Sequence, residues 1–101
     1  MNLILKYAIE VNASDIHITE NKEGWVRVTG NLHKYGEPIS LSDIDEFIEL
    51  VIPNAFDDYR AMREKRRINP IDGAFKYMSR RFRINIYRGI DGINLAIRLL
   101  S

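Results

Sequence analysis

Residues 81–87 read Arg-Phe-Arg-Ile-Asn-Ile-Tyr, and residues 93–99 read Ile-Asn-Leu-Ala-Ile-Arg-Leu. Both runs alternate with period two, as expected of strands that bury one face and wet the other. Phe82, Ile84 and Ile86 share one face; Arg81, Arg83, Asn85 and Tyr87 share the other. In the second run Ile93, Leu95, Ile97 and Leu99 form the core face, which leaves Ala96 and Arg98 opposite. Gly89-Ile90-Asp91-Gly92 between the runs is a turn. Just upstream, after Asp72, Phe75 and Tyr77 share a face, so a third strand opens this C-terminal meander.

Working outward to the N-terminus, Leu3, Ile4, Tyr7, Ala8 and Val11 recur at helical spacing and predict an amphipathic helix over residues 2–12. Ala13-Ser14-Asp15 breaks it, and Ile16 and Ile18 then alternate with His17 and Thr19 as a strand. A polar loop follows at residues 20–24, then a strand over 25–29 with Val26 and Val28 on one face and Trp25 on the other. Gly30-Asn31 is expected at the centre of a type II′ hairpin turn, with glycine taking the positive φ, before a third strand over 32–36. Ser40 and Ser42 are candidate N-caps for a helix whose stripe is Ile44, Phe47, Ile48 and Val51. Pro53 interrupts it. A further helix is expected from Asn54 to Arg66 with Phe56, Tyr59 and Met62 inward, and Pro70 prevents its extension. The order is α-β-β-β-α-α-β-β-β. It predicts an α+β domain with one antiparallel or mixed sheet of about six strands and helices packed on it.

A chain of 101 residues is one domain, and a chain of this size buries roughly 65% of its unfolded surface. The hydrophobic fraction of 46% and the charged fraction of 29% fit an ordinary globular protein and argue against an intrinsically disordered chain. With no cysteine, a disulfide framework and cysteine-ligated metal sites are excluded, and a cytoplasmic setting suits the composition. The net charge of +1 hides asymmetry. Arg60, Arg63, Lys65, Arg66 and Arg67 form one basic group; Lys76, Arg80, Arg81, Arg83 and Arg88 form another; the acids gather at Asp43, Asp45, Glu46 and Glu49. An anionic partner fits this pattern. The opening residues, MNLILKYAIEVN, are too short and too soon charged for a signal peptide or a membrane span.

Most enzymatic constellations are missing. There is no G-x-x-x-x-G-K-[ST] phosphate loop, no G-x-G-x-x-G and no H-E-x-x-H. His17 and His33 stand in separate strand-like segments. Pairing of those segments could make them metal ligands, but surface or hydrogen-bonded strand histidines are the simpler reading, so no metal site is expected. Asp43 and Glu46 read as a solvated helix face near the positive end of a helix dipole rather than an acid–base pair. No enzyme complete within this chain is expected.

Two groups of motifs carry a resemblance. The first is Ala13-Ser14-Asp15-Ile16-His17-Ile18, followed by Val26-Arg27-Val28-Thr29-Gly30-Asn31-Leu32. The second is Asp72-Gly73, then Arg81-Phe82-Arg83-Ile84-Asn85-Ile86-Tyr87, then Leu95-Ala96-Ile97-Arg98-Leu99-Leu100. In order and spacing these resemble the N-terminal, PAS-like domain of the type II secretion and type IV pilus traffic ATPases. The run from Arg81 to Tyr87 is most similar to the twitching-motility (retraction) branch. The resemblance covers nearly the whole chain. It implies a fragment, residues 1–101, that stops where the family begins its linker to a RecA-like catalytic domain. That domain would carry the nucleotide motifs and is absent from this sequence. Two departures stand out: Ala74 follows Asp72-Gly73 where the secretion branch has arginine, and Thr29 precedes Gly30 where aspartate is usual.

What the resemblance implies for single residues is more specific. Arg83 matches a family arginine that resembles an arginine finger and reaches phosphates bound at a catalytic domain of the assembled hexamer. A planar, permanently charged fork suits phosphate oxygens. The alternative is a surface strand residue paired with a carboxylate. Arg81, two residues away on the same face, is a second candidate. Arg98 reads as a structural or interdomain salt bridge. Asp15 and His17 read as a structural motif, with Asp15 accepting backbone N–H bonds to fix the start of the strand, or as a contact between protomers. The implied parent is a cytoplasmic homohexamer that uses ATP and magnesium at the inner face of the cell membrane, where it serves the pilus machinery. The chain alone would need no cofactor. Two other functions remain open on the residues: a PAS-type sensor with a ligand in its core, and a single-stranded nucleic-acid binder using Tyr77, Phe82, Tyr87 and the arginines on one sheet face. No nucleic acid is expected as a partner, because the net charge is small and Phe82 points inward.

Overall fold

In the computed structural model, which describes residues 1–100, the chain runs α1 (Asn2–Glu10), β1 (Asp15–Thr19), β2 (Lys22–Val28), β3 (Asn31–Ile39), α2 (Leu41–Val51), a 3-10 turn (Pro53–Ala55), α3 (Phe56–Arg63), β4 (Ile71–Tyr77), β5 (Arg80–Gly89) and β6 (Gly92–Leu99). The strands form one open sheet in the order β3-β2-β1-β6-β5-β4, and every neighbouring pair is antiparallel. The α+β class and the element order match the expectation, and the sheet is purely antiparallel. Two hairpin meanders meet at the β1–β6 seam, where Asp15 lies opposite Arg98 and Ile18 opposite Leu95.

All three helices pack on one face of the sheet. The alternation in β5 and β6 explains why: Phe82, Ile84, Ile86, Ile93, Leu95 and Ile97 are all buried beneath them. Phe75 stacks on Phe82 with centroids 4.9 Å apart, and Phe47 of α2 meets Phe75 edge-on at 5.5 Å. Among the described residues Tyr59 is the one buried side chain with a polar tip. Its hydroxyl donates to Asp45 of α2, and Arg63 donates to the other oxygen of that carboxylate. Burial, then the neighbouring carboxylate, raises the Tyr59 phenol far above its ordinary pKa.

Local chemistry explains the ends of the elements. Ser40 caps α2, accepting the Asp43 N–H at 3.1 Å; Ser42 lies inside the helix. α1 stops at Glu10, two residues earlier than the apolar spacing predicts. Asn12 turns left-handed (φ 54°), and its N–H and that of Ala13 bond back to Ile9 and Ala8. α3 ends likewise at Arg63 rather than Arg66. Lys65 has φ 62°, and the Lys65 and Arg66 N–H groups bond to Met62 and Ala61. On α1 the inward face is Ile4, Leu5 and Ala8, with Leu3 exposed rather than in the core. Gly24 sits beneath this helix, where an added Cβ would run into the Ile4 Cδ1.

The β2–β3 hairpin turns on Thr29-Gly30, not Gly30-Asn31. Val28 pairs with Asn31, and both central residues have positive φ (51° and 82°), the type I′ geometry. The segment expected as a polar loop before Trp25 is partly strand, with a register irregularity between Lys22 and Gly24. β3 continues through Pro38 to Ile39, which is tolerated because β3 is an edge of the sheet.

Candidate functional site

The sheet face opposite the helices is uncovered, and two cross-strand rows of side chains dominate it. Directly opposed residues on adjacent strands point to the same face. The first row therefore runs Arg27, Asp15, Arg98, Arg83, Ala74 across β2, β1, β6, β5 and β4. The second row runs Trp25, His17, Ala96, Asn85, Asp72. Asp15 takes both flanking arginines, with Arg27 Nε at 3.6 Å and Arg98 Nε at 3.5 Å, and accepts the Ser14 hydroxyl at 2.7 Å. These side-chain donors replace the backbone N–H donors expected for Asp15.

Arg83 is exposed, and among the described residues its side chain has no hydrogen bond or ion pair. Its neighbour across the strand is another arginine, Arg98. One step along, Arg81 stands opposite Lys76. The face thus carries a stripe of five cations, of which Asp15 engages two. Like charges placed directly opposite one another destabilise a sheet. The arrangement makes sense when an anion or an acidic surface lies over it.

Between the two rows lies an open depression of about 280 Å³ with Ala96 at its floor and Arg83, Arg98, Asp15, His17 and Asn85 around it. The absence of a long side chain at position 96 leaves this room. Asn85 donates to Asp72 at 2.8 Å, so the far wall is fixed. Arg81 borders a different depression, beside Ala74 and Leu100. Arg83, Arg98, Asp15 and His17 therefore come together, while Arg81 shares their face but not their hollow. Sequence reasoning did not single out Arg27, Asn85, Asp72 and Ala96 as parts of one site. Alternation placed each on a face, but only the register between strands distant in the chain joins them.

His33 lies opposite Val26 on the helix-covered face and meets the Tyr7 hydroxyl at 2.9 Å. His17 lies on the open face, so strand pairing does not unite the two histidines. Trp25 is 40% exposed there, with the Lys34 ammonium 5.5 Å from its ring centroid. Tyr77 and Phe82 belong to the helix-covered face, where the Tyr77 hydroxyl donates to Asn2. That leaves Tyr87 alone of those three aromatic residues on the open side, with Trp25 beyond two intervening strands, instead of the contiguous aromatic platform a single-strand binder uses. Among the described residues no charged or amide side chain is buried, so nothing polar converges on a ligand inside the core. Among the described residues no helix is long and apolar enough to cross a membrane.

No protein-family profile matches the sequence, and no curated protein matches it. Solved structures do. The Legionella pneumophila ATPase DotB aligns over 100% of this chain and 29% of its own, at 24% identity and a TM-score of 0.76. The pilus retraction motor PilT, determined with bound ADP, aligns over 97% of this chain and 28% of its own, at 27% identity and a TM-score of 0.72. The Yersinia pseudotuberculosis ATPase DotB aligns over 99% of this chain and 29% of its own, at 17% identity and a TM-score of 0.68. The chain has the fold of the N-terminal domain of these secretion and pilus ATPases, and it spans less than a third of the length of each.

Proposed function

We propose that this chain is the N-terminal assembly and regulatory domain of a hexameric ATPase that retracts type IV pili. In this reading a RecA-like catalytic domain belongs to the same protein and supplies the site for ATP and magnesium. The open sheet face meets a catalytic domain, its own or a neighbour's. Arg83 is the arm that reaches bound phosphate, with Arg81 as a second cation. The module moves as a rigid body against the catalytic domain and carries Arg83 toward and away from nucleotide as the ring cycles. The assembly is cytoplasmic and peripheral to the inner membrane.

The observation that carries the proposal is the opposition of Arg83 and Arg98 on an uncovered face. Asp15 draws Arg98 and Arg27 toward itself and leaves Arg83 uncommitted beside a hollow. A free guanidinium held in a positive field is poised for phosphate or carboxylate, because both offer a bidentate partner. The fold likeness to an ADP-bound retraction motor supports the choice of phosphate. The test is a nucleotide-bound structure of the full-length assembly. Arg83 is expected at about 2.7–2.9 Å from a phosphate oxygen in at least one subunit. An assembly in which the open face stays in solvent would overturn the proposal.

A further inference from the structure

A second surface, on the helical side and away from the arginine stripe, carries the opposite charge. Between the first turn of α1 and the outer face of α2 lies a groove of about 290 Å³, floored by Phe47 and walled by Leu3, Leu50, Asp43 and Glu46. It runs on past Glu37 into a second hollow of about 220 Å³ that shares Met1, Leu3 and Asp43. No lysine or arginine lines either part; against the carboxylates of Glu37, Asp43 and Glu46 stands the terminal ammonium of Met1, which borders both hollows. Leu3 is 74% exposed and Leu50 69%, unusual for two leucines at the edges of one groove.

The same chain presents an exposed apolar residue beside an unpaired lysine. Past α3, Ile68 stands 90% exposed directly after Lys65, Arg66 and Arg67. Hydrogen bonds flank this segment on both sides. Lys65 and Arg66 N–H groups bond back to Met62 and Ala61 at 3.1 and 2.8 Å, and the Arg67 side chain donates to the Asn69 and Pro70 carbonyls at 3.1 and 3.3 Å. Arg66 is engaged by Glu64 at 2.6 Å and Arg67 by Asp58 at 3.7 Å, whereas Lys65 has no side-chain partner among the described residues and is the cation left to meet an acidic groove. An apolar tip beside one unpaired lysine, on a backbone tied by hydrogen bonds on both sides, loses little entropy on docking.

The geometry points to a head-to-tail contact between copies of this chain, with the Ile68 prong of one seated in the Leu3–Leu50 groove of the next and Lys65 facing Glu46 or Glu37. The two surfaces differ, so the contact is heterologous. Such contacts generate rings when the rotation closes and open chains when it does not. The contact does not depend on Arg83 or on the sheet's open face. It is small and partly ionic, so it is weak in the isolated chain and weakened further by salt.

The test uses two variants of the 101-residue chain and sedimentation and amide NMR up to roughly millimolar protein. The groove variant is Glu37→Lys with Glu46→Lys; the prong variant is Lys65→Glu with Ile68→Ser. All four residues are exposed, and retained amide dispersion verifies the fold. If either variant fails to fold, Leu50→Ser replaces the groove change and Ile68→Ser alone the prong change. The wild-type chain is expected to self-associate with concentration, shifting amides of the groove and prong together, and each variant alone to weaken this at least tenfold. When the variants are mixed, the intact prong of one and the intact groove of the other should form a one-to-one pair that grows no further. A wild type that stays monomeric throughout overturns the contact. So does self-association untouched by either variant, or a mixture that does not pair.

Discussion

Arg83 on β5 lies directly opposite Arg98 on β6, and Asp15 on β1 lies opposite Arg98 from the other side. Asp15 is the single carboxylate in a row with three arginines. The like pair costs the sheet stability, about 0.2–1 kcal/mol for directly opposed like charges. Arg83→Ala should therefore leave this chain as stable as the wild type or slightly more so, whereas Asp15→Ala should destabilise it by leaving Arg27, Arg98 and Arg83 uncompensated. Thermal melts at low and high salt test this. Added salt should narrow the gap between wild type and Asp15→Ala, and a loss of more than about 1 kcal/mol in Arg83→Ala would mean that Arg83 supports the fold.

The Tyr59 hydroxyl gives a pH dependence with a definite sign. Its pKa is raised in the folded state, because burial and the Asp45 carboxylate both disfavour the phenolate. The folded chain therefore holds this proton more tightly than the unfolded chain. The stabilisation is complete below the unfolded phenol's pKa of about 10 and is lost as pH rises beyond it, by about 1.4 kcal/mol per pH unit at most. Urea titrations between neutral pH and pH 11 should show this alkaline decline. Tyr59→Phe should be less stable at neutral pH and should lose most of the decline.

Two hairpins place non-glycine residues at positive φ. Met78 and Ser79 form the two-residue turn between β4 and β5 at 51° and 63°, and Thr29 takes 51° between β2 and β3. Type I′ turns favour Asn-Gly. Met78→Asn with Ser79→Gly, and separately Thr29→Asn, should each raise stability by roughly 1 kcal/mol. The reverse expectation holds at the α2 cap, where Ser40→Ala should cost about 1 kcal/mol. Denaturant midpoints at constant m-value measure all three.

These turns also mark where the sequence was hard to read. Alternation placed the side chains from Arg81 to Tyr87 and from Ile93 to Leu99 on their correct faces, because period two is a local property; Arg88, which reaches back to the Met62 and Arg63 carbonyls, lies beyond those runs. Thr29-Gly30 was misjudged by one residue because a β-branched threonine is a poor left-handed residue, and the strand pairing on either side overrides that preference. Leu3 and Leu5 exchanged roles because both suit a helical stripe, and only the line of approach of α1 over Gly24 selects between them. The candidate site was legible as separate letters, Asp15, His17, Arg83 and Arg98. Their assembly was not, since it depends on β1 pairing with β6 across some eighty residues of chain. Arg27, also opposite Asp15, follows from the same seam.

This 101-residue chain should hydrolyse no ATP, since its sequence has no phosphate loop and no acidic magnesium set beside one. At micromolar concentration it should sediment as a monomer, because the contact of the open face proposed for the parent needs the catalytic domain and the head-to-tail contact is weak in the isolated chain. Phosphate-release assays and light scattering measure both. Turnover that co-purifies with the chain and survives Arg83→Ala, or a stable hexamer of the chain alone, would show that the reading omits a site or an interface.

The most direct measurement of the central claim is the ATPase rate of the full-length assembly carrying Arg83→Ala. The open face leaves this guanidinium free to reach phosphate, and arginines acting on a phosphoryl-transfer transition state contribute about 10³–10⁵ in rate in the best-known cases. In the proposed assembly other cations of the catalytic domain would share the task, so kcat should fall by at least about tenfold with the hexamer intact. Arg83→Lys should restore it only in part, because an ammonium cannot make the two-pronged contact. A hexamer of Arg83→Ala that hydrolyses ATP at the wild-type rate would contradict the account and leave Arg83 as an unpaired surface residue of the sheet.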